Sequence, residues 1–169
     1  MSKKNISMLL LVIFSSVFVN AGVTNIKEVV NNTSEKVTVS KGTVREKRNE
    51  YATVIETFFS MKETTDAILN GGTWSGDIWI PWVDNVRDFK NNVILIYIED
   101  EFGRFPHRNK SFLLWQTGDA VRLVSPFSNK LYEFVRNAPK ISGEAKVNGE
   151  RRLVVGKEND QYVITLEKF

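Results

Sequence analysis

Turn signals interrupt this chain roughly every 8 to 12 residues, and the segments between them are rich in valine, isoleucine, threonine and aromatic residues. Such segments favour strands, and turns spaced this closely leave no room for a long helix. The sequence therefore predicts an all-β fold, a single antiparallel β-sandwich or small barrel of about nine or ten short strands. The alternative is an α+β fold in which residues 46–61 form a helix packed on the sheet.

The strongest strand prediction is residues 93–98, an uninterrupted apolar run of Val-Ile-Leu-Ile-Tyr-Ile. A run of this kind predicts an inner strand that is buried on both faces. After it, residues 111–116 and 120–125 flank the tight turn at 117–119, so we expect them to pair as an antiparallel hairpin.

Both ends of the mature chain are also predicted to form hairpins. At the C-terminal end, a turn at residues 158–160 joins strands at 152–155 and 162–166. At the N-terminal end, the apolar residues of 23–30 fit either a strand or one face of a helix, and periodicity cannot decide for so short a run. A turn cluster and the alternating segment 37–39 follow, so we favour a strand and a hairpin.

The expected core consists of the apolar side chains that these strands turn inwards. Its members are Val37, Val39, Val54, Phe58, Ile78, Ile80, Leu95, Tyr97, Leu113, Trp115, Val121, Leu153, Val155, Ile164 and Leu166.

The first 21 residues have the pattern of a secretory signal peptide. Lys3 and Lys4 precede a mostly apolar run at 8–19, and small residues at 19–21 suit a cleavage site. We therefore expect a bacterial signal peptide at residues 1–21, a single domain at 22–169, and a secreted or periplasmic location. The apolar run is too short for a membrane span, so we expect no transmembrane segment after processing.

Composition and charge exclude several function classes. Removing the signal peptide takes away two lysines and no acidic residue, which leaves 21 basic against 20 acidic residues and gives no support for a nucleic-acid partner. The chain has no cysteine, and its single histidine, His107, has no nucleophile or second metal ligand at a motif spacing. No glycine-rich phosphate loop is present either, so we expect no cofactor and no metal.

The segment 71–84 holds three of the chain's four tryptophans. Glycines at 71–72 predict one turn, Ser-Gly-Asp at 75–77 predicts a second, and a strand is expected from 77 to 83. Pro81 cannot donate a ladder hydrogen bond. The strand is therefore expected to lie at a sheet edge, to contain a bulge, or to end near residue 80.

The candidate ligand-binding residues lie in and just after this segment. They are Trp74, Asp77, Trp79, Trp82, Asp84 and Asn85. A flat aromatic face beside hydrogen-bonding side chains suits sugar rings and lipid headgroups, because both have apolar C–H faces and polar rims. Core packing of the tryptophans, with turn capping and ion pairing by the polar residues, is the competing interpretation. For a small ligand we expect the end formed by Trp82, Asp84 and Asn85.

From these residues we predict an exported binding module for glycans or other cell-surface molecules, and not an enzyme. One alternative is a membrane-active secreted protein, a pore-forming or lipid-binding toxin, which would anchor the same tryptophans at a lipid headgroup surface. The second alternative is a carboxylate-dependent hydrolase, which needs two carboxylates roughly 5 to 9 Å apart across its substrate. Asp77 with Asp84, or Asp84 with Asp88, would supply them.

Overall fold

The structure, a computed structural model, describes residues 22–48, 53–99, 110–125 and 135–169. The predicted signal peptide and the histidine of the loop after residue 100 lie outside this part of the chain. The described elements follow one another as β1 (Thr24–Asn31), β2 (Lys36–Arg48), β3 (Thr53–Thr64), β4 (Thr73–Trp79), α1 (Val86–Asn91), β5 (Val93–Glu99), β6 (Lys110–Thr117), β7 (Ala120–Val124), β8 (Ser142–Gly143), β9 (Gly149–Glu158) and β10 (Gln161–Lys168).

The strands form two sheets of five, in the orders β4-β1-β9-β10-β8 and β3-β2-β5-β6-β7. Most neighbours are antiparallel, but β1 runs parallel to β9, and β8 runs parallel to β10. The predicted all-β fold is confirmed. The alternative helix over residues 46–61 does not form, because β2 and β3 occupy the described part of that range.

One apolar core lies between the two sheets. It joins Ile26 and Leu153 of the first sheet to Val39, Ile96 and Leu114 of the second sheet. Every predicted core residue on β2 and β4 to β10 is buried except Tyr97, which is half-buried. The side chains of Val54 and Phe58 lie outside the described part of the structure.

A second apolar cluster covers the other face of the β5 and β6 region. Phe89 of α1 meets Trp115 edge-on, with 4.8 Å between the ring centroids, and the indole N–H of Trp115 donates to the carbonyl of Val135 at 3.0 Å. Alternate residues of β5 therefore belong to different clusters: Val93 and Leu95 face α1, and Ile94 faces the opposite sheet. This confirms the inner strand that the apolar run predicted.

The N-terminal hairpin prediction is wrong, because β1 and β2 lie in different sheets. The turn between them is held by the buried amide of Asn31, which donates to the carbonyls of Glu35 and Ile68 at 2.7 Å. Its oxygen accepts from the backbone N–H and the hydroxyl of Thr33 at 2.9 and 2.7 Å. The turn thus carries the chain across the sandwich and does not fold it back on itself.

The helix-like spacing of apolar residues in β1 comes from a bulge. Ile26 and Glu28 pair with the adjacent residues Arg151 and Arg152 of β9, so Lys27 is an extra residue between them. In a regular strand, residues three apart face opposite sides. Because of the bulge, Ile26 and Val29 both enter the core.

A buried carboxylate ties the β1–β2 turn to the C-terminal hairpin. One oxygen of Glu35 accepts from the ammonium of Lys157 at 3.1 Å and from the hydroxyl of Tyr162 at 3.2 Å. Burial alone would raise the pKa of Glu35, but the hydrogen bond and charge of Lys157, with smaller contributions from Ser34 and Tyr162, hold that pKa below the ordinary 4.5. The same contact raises the pKa of Lys157.

We expect Glu35→Gln to lower the free energy of unfolding at pH 7 by about 1.5 to 3 kcal/mol, because it removes hydrogen bonds to a charged group. A depressed folded-state pKa contributes stability above the unfolded pKa of about 4.3, and this contribution is lost as the pH falls through the folded value. Urea unfolding between pH 7 and pH 3 should therefore show wild type and variant converging in acid. Glu158→Gln, an exposed change on the same hairpin, is the control, and a difference that persists undiminished at pH 3 would contradict the prediction.

Candidate functional site

The tryptophan segment begins on an edge strand. Within the described residues β4 pairs only with β1, and it ends at Trp79, two residues before Pro81. As expected from this proline, the strand lies at an edge and stops short of it. β4 also contains a bulge, but at Gly76 and Asp77, well before the proline. The predicted strand over residues 77–83 is therefore shifted towards the N terminus.

The predicted turn at Ser75, Gly76 and Asp77 is wrong, because these residues lie inside β4. Glycine is needed there for a different reason: a Cβ atom on Gly76 would overlap the six-membered ring of Trp74. Gly76 and Asp77 also lie together opposite Lys27, which makes a bulge in β4. The small residue and the bulge therefore seat the Trp74 ring and turn out the Asp77 carboxylate.

After β4 the chain crosses to the other sheet and is fixed there by Gln116. The backbone N–H of Gln116 donates to the carbonyl of Pro81 at 3.0 Å, and the N–H of Val83 donates to the carbonyl of Gln116 at 2.9 Å. The buried side chain of Gln116 accepts from the N–H of Thr24 at 3.1 Å and donates to the carbonyl of Gly22 at 3.5 Å. Backbone hydrogen bonds therefore fix the chain at the residue before Trp82 and at the residue after it.

The three tryptophans differ in exposure. Trp79 is 51% exposed, whereas Trp74 and Trp82 are half-buried, and Trp74 packs against the core between the sheets. The fourth tryptophan, Trp115, is fully buried. The segment therefore presents one open indole face between two partly covered ones.

The side chains of this segment line three shallow surface pockets, called hollows here. The first hollow has a volume of about 240 Å³ and is lined by Lys41, Thr64, Thr65, Trp74, Asp77, Ile78 and Trp79. The second, about 360 Å³, is lined by Val23, Lys41, Trp79, Ile80, Pro81, Trp82, Asn92 and Gln116. The third, about 200 Å³, is lined by Trp82, Asp84, Thr117, Gly118, Arg122 and Arg136. Trp79 is a wall of the first and second hollows and Trp82 of the second and third, so neighbouring hollows share a tryptophan, and the three together are called the row.

Asp77 is fixed by two donors from β1. Its Oδ1 accepts from the side-chain amide of Asn25 at 2.6 Å and from the ammonium of Lys27 at 2.8 Å. The hydrogen bonds from Lys27 and Asn25 lower the pKa of Asp77, and the contact raises the pKa of Lys27. Asp77 is therefore a carboxylate at neutral pH, held in a set orientation at the first hollow.

The last two candidate residues have separate roles. Asp84 lines the third hollow, and its backbone carbonyl accepts from Nε of Arg136 at 3.2 Å. Asn85 caps α1, because its Oδ1 accepts from the backbone N–H of Asp88 at 3.0 Å and its amide donates to the Asp88 carboxylate at 2.6 Å. Asn85 lines none of the three hollows, so five of the six predicted residues share the row.

Several lining residues are not among the sequence candidates. Lys41 and Arg122 come from β2 and β7, which the sheet order brings to the tryptophans, and Arg136 comes from the segment after residue 134, where it bonds to the carbonyl of Asp84. Gly118 was noticeable only as a turn residue. Within the described ranges no cluster of three or more histidine, cysteine or acidic side chains is placed to hold a metal, and no helix is long and apolar enough to cross a membrane.

Comparisons with protein-family models, with curated proteins and with solved structures find no match. The function must therefore be inferred from this chain's own side chains.

We expect Asn85→Ala to lower the free energy of unfolding by about 0.5 to 2 kcal/mol, the usual cost of losing a helix cap. Because Asn85 lies outside the hollows, ligand affinity of the folded variant should not change. Thermal unfolding tests the first statement, and glycan binding by the folded variant tests the second. Asn91→Ala, at the other end of the same helix, is the control. If Asn85→Ala alone lost binding, the prediction would be wrong and Asn85 would belong to the binding site.

Proposed function

We propose that the protein is an exported binding module that takes a glycan through the tryptophan segment. The observation that carries this proposal is the row of three hollows whose shared walls are Trp79 and Trp82. Sugar rings stack their C–H faces on indole and keep their hydroxyl rim for hydrogen bonds. Successive hollows with aromatic walls suit successive rings of an oligosaccharide better than a single compact ligand.

The polar groups of the first hollow support the same proposal. Lys27 and Asn25 both donate to Oδ1 of Asp77, so Oδ2 is available to accept from a ligand hydroxyl. The two donors also hold the carboxylate in place before a ligand arrives, which reduces the ordering cost of binding. Thr64 and Thr65 line the same hollow, but their hydroxyls are already hydrogen-bonded, to the hydroxyl of Ser40 at 2.8 Å and to the backbone N–H of Val39 at 3.0 Å.

The carboxylates support binding more than hydrolysis. Asp77 and Asp84 line different hollows, whereas a glycosidase needs its pair on the two sides of one bond. A general acid needs a raised pKa, and the pKa of Asp77 is lowered by Lys27 and Asn25. These features favour a module that holds its ligand unchanged.

A membrane-binding function is the second candidate, and one observation favours it. Val23 and Trp79, 47% and 51% exposed, line the second hollow together with Pro81 and Trp82. Exposed apolar and tryptophan side chains beside Lys41 suit the headgroup region of a bilayer. Flotation with liposomes and release of an enclosed dye separate this candidate from glycan binding.

For the glycan function, we expect Trp79→Ala to abolish binding on a glycan array while the protein stays folded. Half of this side chain is already in water, so its removal should cost only about 1 to 1.5 kcal/mol of stability. Trp115→Ala, in the buried cluster, should instead cost about 3 to 5 kcal/mol. Binding and thermal unfolding of both variants are measured together.

Leu69→Ala is the matched control, because Leu69 is 60% exposed and lines none of the three hollows. It should leave both stability and binding nearly unchanged. The proposal is wrong if the wild-type protein binds no glycan, or if Trp79→Ala binds as well as wild type.

A further inference from the structure

We propose that the third hollow is an anion subsite, and that the glycan carries a carboxylate or sulfate group on the sugar that lies next to Trp82. The proposal rests on the proposed glycan-binding function and names the class of its ligand. It goes beyond the aromatic segment, because the residues that recognise the charge are Arg122 and Arg136.

The guanidinium groups of Arg122 and Arg136 each have N–H donors that form no hydrogen bond within the described chain. Arg122, on β7, is half-buried and donates from Nη1 to the carbonyl of Ala138 at 2.8 Å, while its buried Nε–H has no hydrogen-bond partner. Arg136 is exposed and donates from Nε to the carbonyl of Asp84 at 3.2 Å. A guanidinium has five N–H donors. Apart from the one bond that each arginine makes to a backbone carbonyl, the donors of the two side chains have no partner in the described chain, although the Nε–H of Arg122 is buried.

The charge of the third hollow is unbalanced. Neither arginine forms an ion pair with a carboxylate of the described chain. Asp119, whose charge also interacts with that of Arg122, is paired with Lys140 at 3.3 Å. Among the described residues that line this hollow, Asp84 is the one acidic residue, so two guanidiniums and one carboxylate leave a positive charge in excess. An anion that accepts from the unpaired Nη–H donors of the two arginines would balance this charge.

The position of Trp82 determines the kind of anion. Its ring is a wall of both the second and the third hollow, so a sugar stacked there has its substituents within reach of the arginines. Guanidinium groups bind two oxygens of a carboxylate or sulfate group with paired hydrogen bonds, which a hydroxyl cannot match. The geometry therefore fits an acidic sugar within a chain better than a free inorganic ion.

The test compares matched neutral and acidic probes by isothermal titration calorimetry. The probes are an oligogalacturonate and its methyl ester, and a heparin oligosaccharide and its desulfated form. We expect wild type to bind one acidic member at least tenfold more tightly than its neutral partner, with an affinity that falls as salt is added. Arg136→Gln should weaken binding of the acidic member by about 10- to 100-fold and leave the neutral member nearly unchanged.

Arg87→Gln is the matched control, because Arg87 is an exposed arginine on α1 and lines none of the hollows. It should change the affinity less than about twofold. Arg122→Lys keeps the charge but not the paired donors, so it should lose part of the preference for the acidic probe. Thermal unfolding of each variant shows that the protein compared is folded.

The outcomes separate this proposal from the one on which it rests. If the protein binds neutral and acidic probes equally and Trp79→Ala abolishes both, glycan binding stands and the anion subsite is wrong. The subsite is also wrong if Arg87→Gln weakens binding as much as Arg136→Gln does. If only vesicles with anionic lipid bind, or if no oligosaccharide binds, both proposals fail.

Discussion

The buried side chain of Gln116 is the point on which the arrangement of this protein depends. The side-chain amide of Gln116 hydrogen-bonds to the backbone of Gly22 and Thr24 at the start of β1. Its backbone hydrogen-bonds to Pro81 and Val83, just after β4. A buried polar group without a hydrogen-bond partner lowers stability, so the start of β1, the segment after β4 and β6 depend on one another for their positions. The tryptophan segment is therefore attached to both sheets, and its aromatic walls are carried by a rigid frame.

The elements that the sequence predicted well are those whose pattern is local. The apolar run of β5 needs no partner to be recognised, and the hairpins β6–β7 and β9–β10 follow from turns that lie between their own strands. The failed hairpin of β1 and β2 had the same kind of turn signal. What decided its outcome was the hydrogen bonding of Asn31 to residues as far away as Ile68, which no local pattern contains.

The candidate site shows the same division. Aromatic and polar residues close together in sequence predicted Trp74, Trp79 and Trp82 as a group, because a strand and its exit keep them together. The arginines of the third hollow lie about 40 and 54 residues after Trp82, and only the tertiary fold brings them to it: the sheet order places Arg122, and a hydrogen bond to the carbonyl of Asp84 places Arg136. The capping role of Asn85 is predictable from the sequence, because an asparagine followed three residues later by an acidic residue is a pattern that begins helices.

The parallel pairing of β1 with β9 has a consequence for how the molecule is made. The first strand lies between β4 and β9, and its register with β9 pairs Thr24 with Gly149, so one edge of β1 stays open until β9 has been made. Contacts between residues so distant in sequence form slowly, and an open strand edge invites wrong partners while it waits. A partial chain that ends before β9 therefore leaves this sheet incomplete. Such a truncated product would expose the free edge of β1 to pairing with other chains.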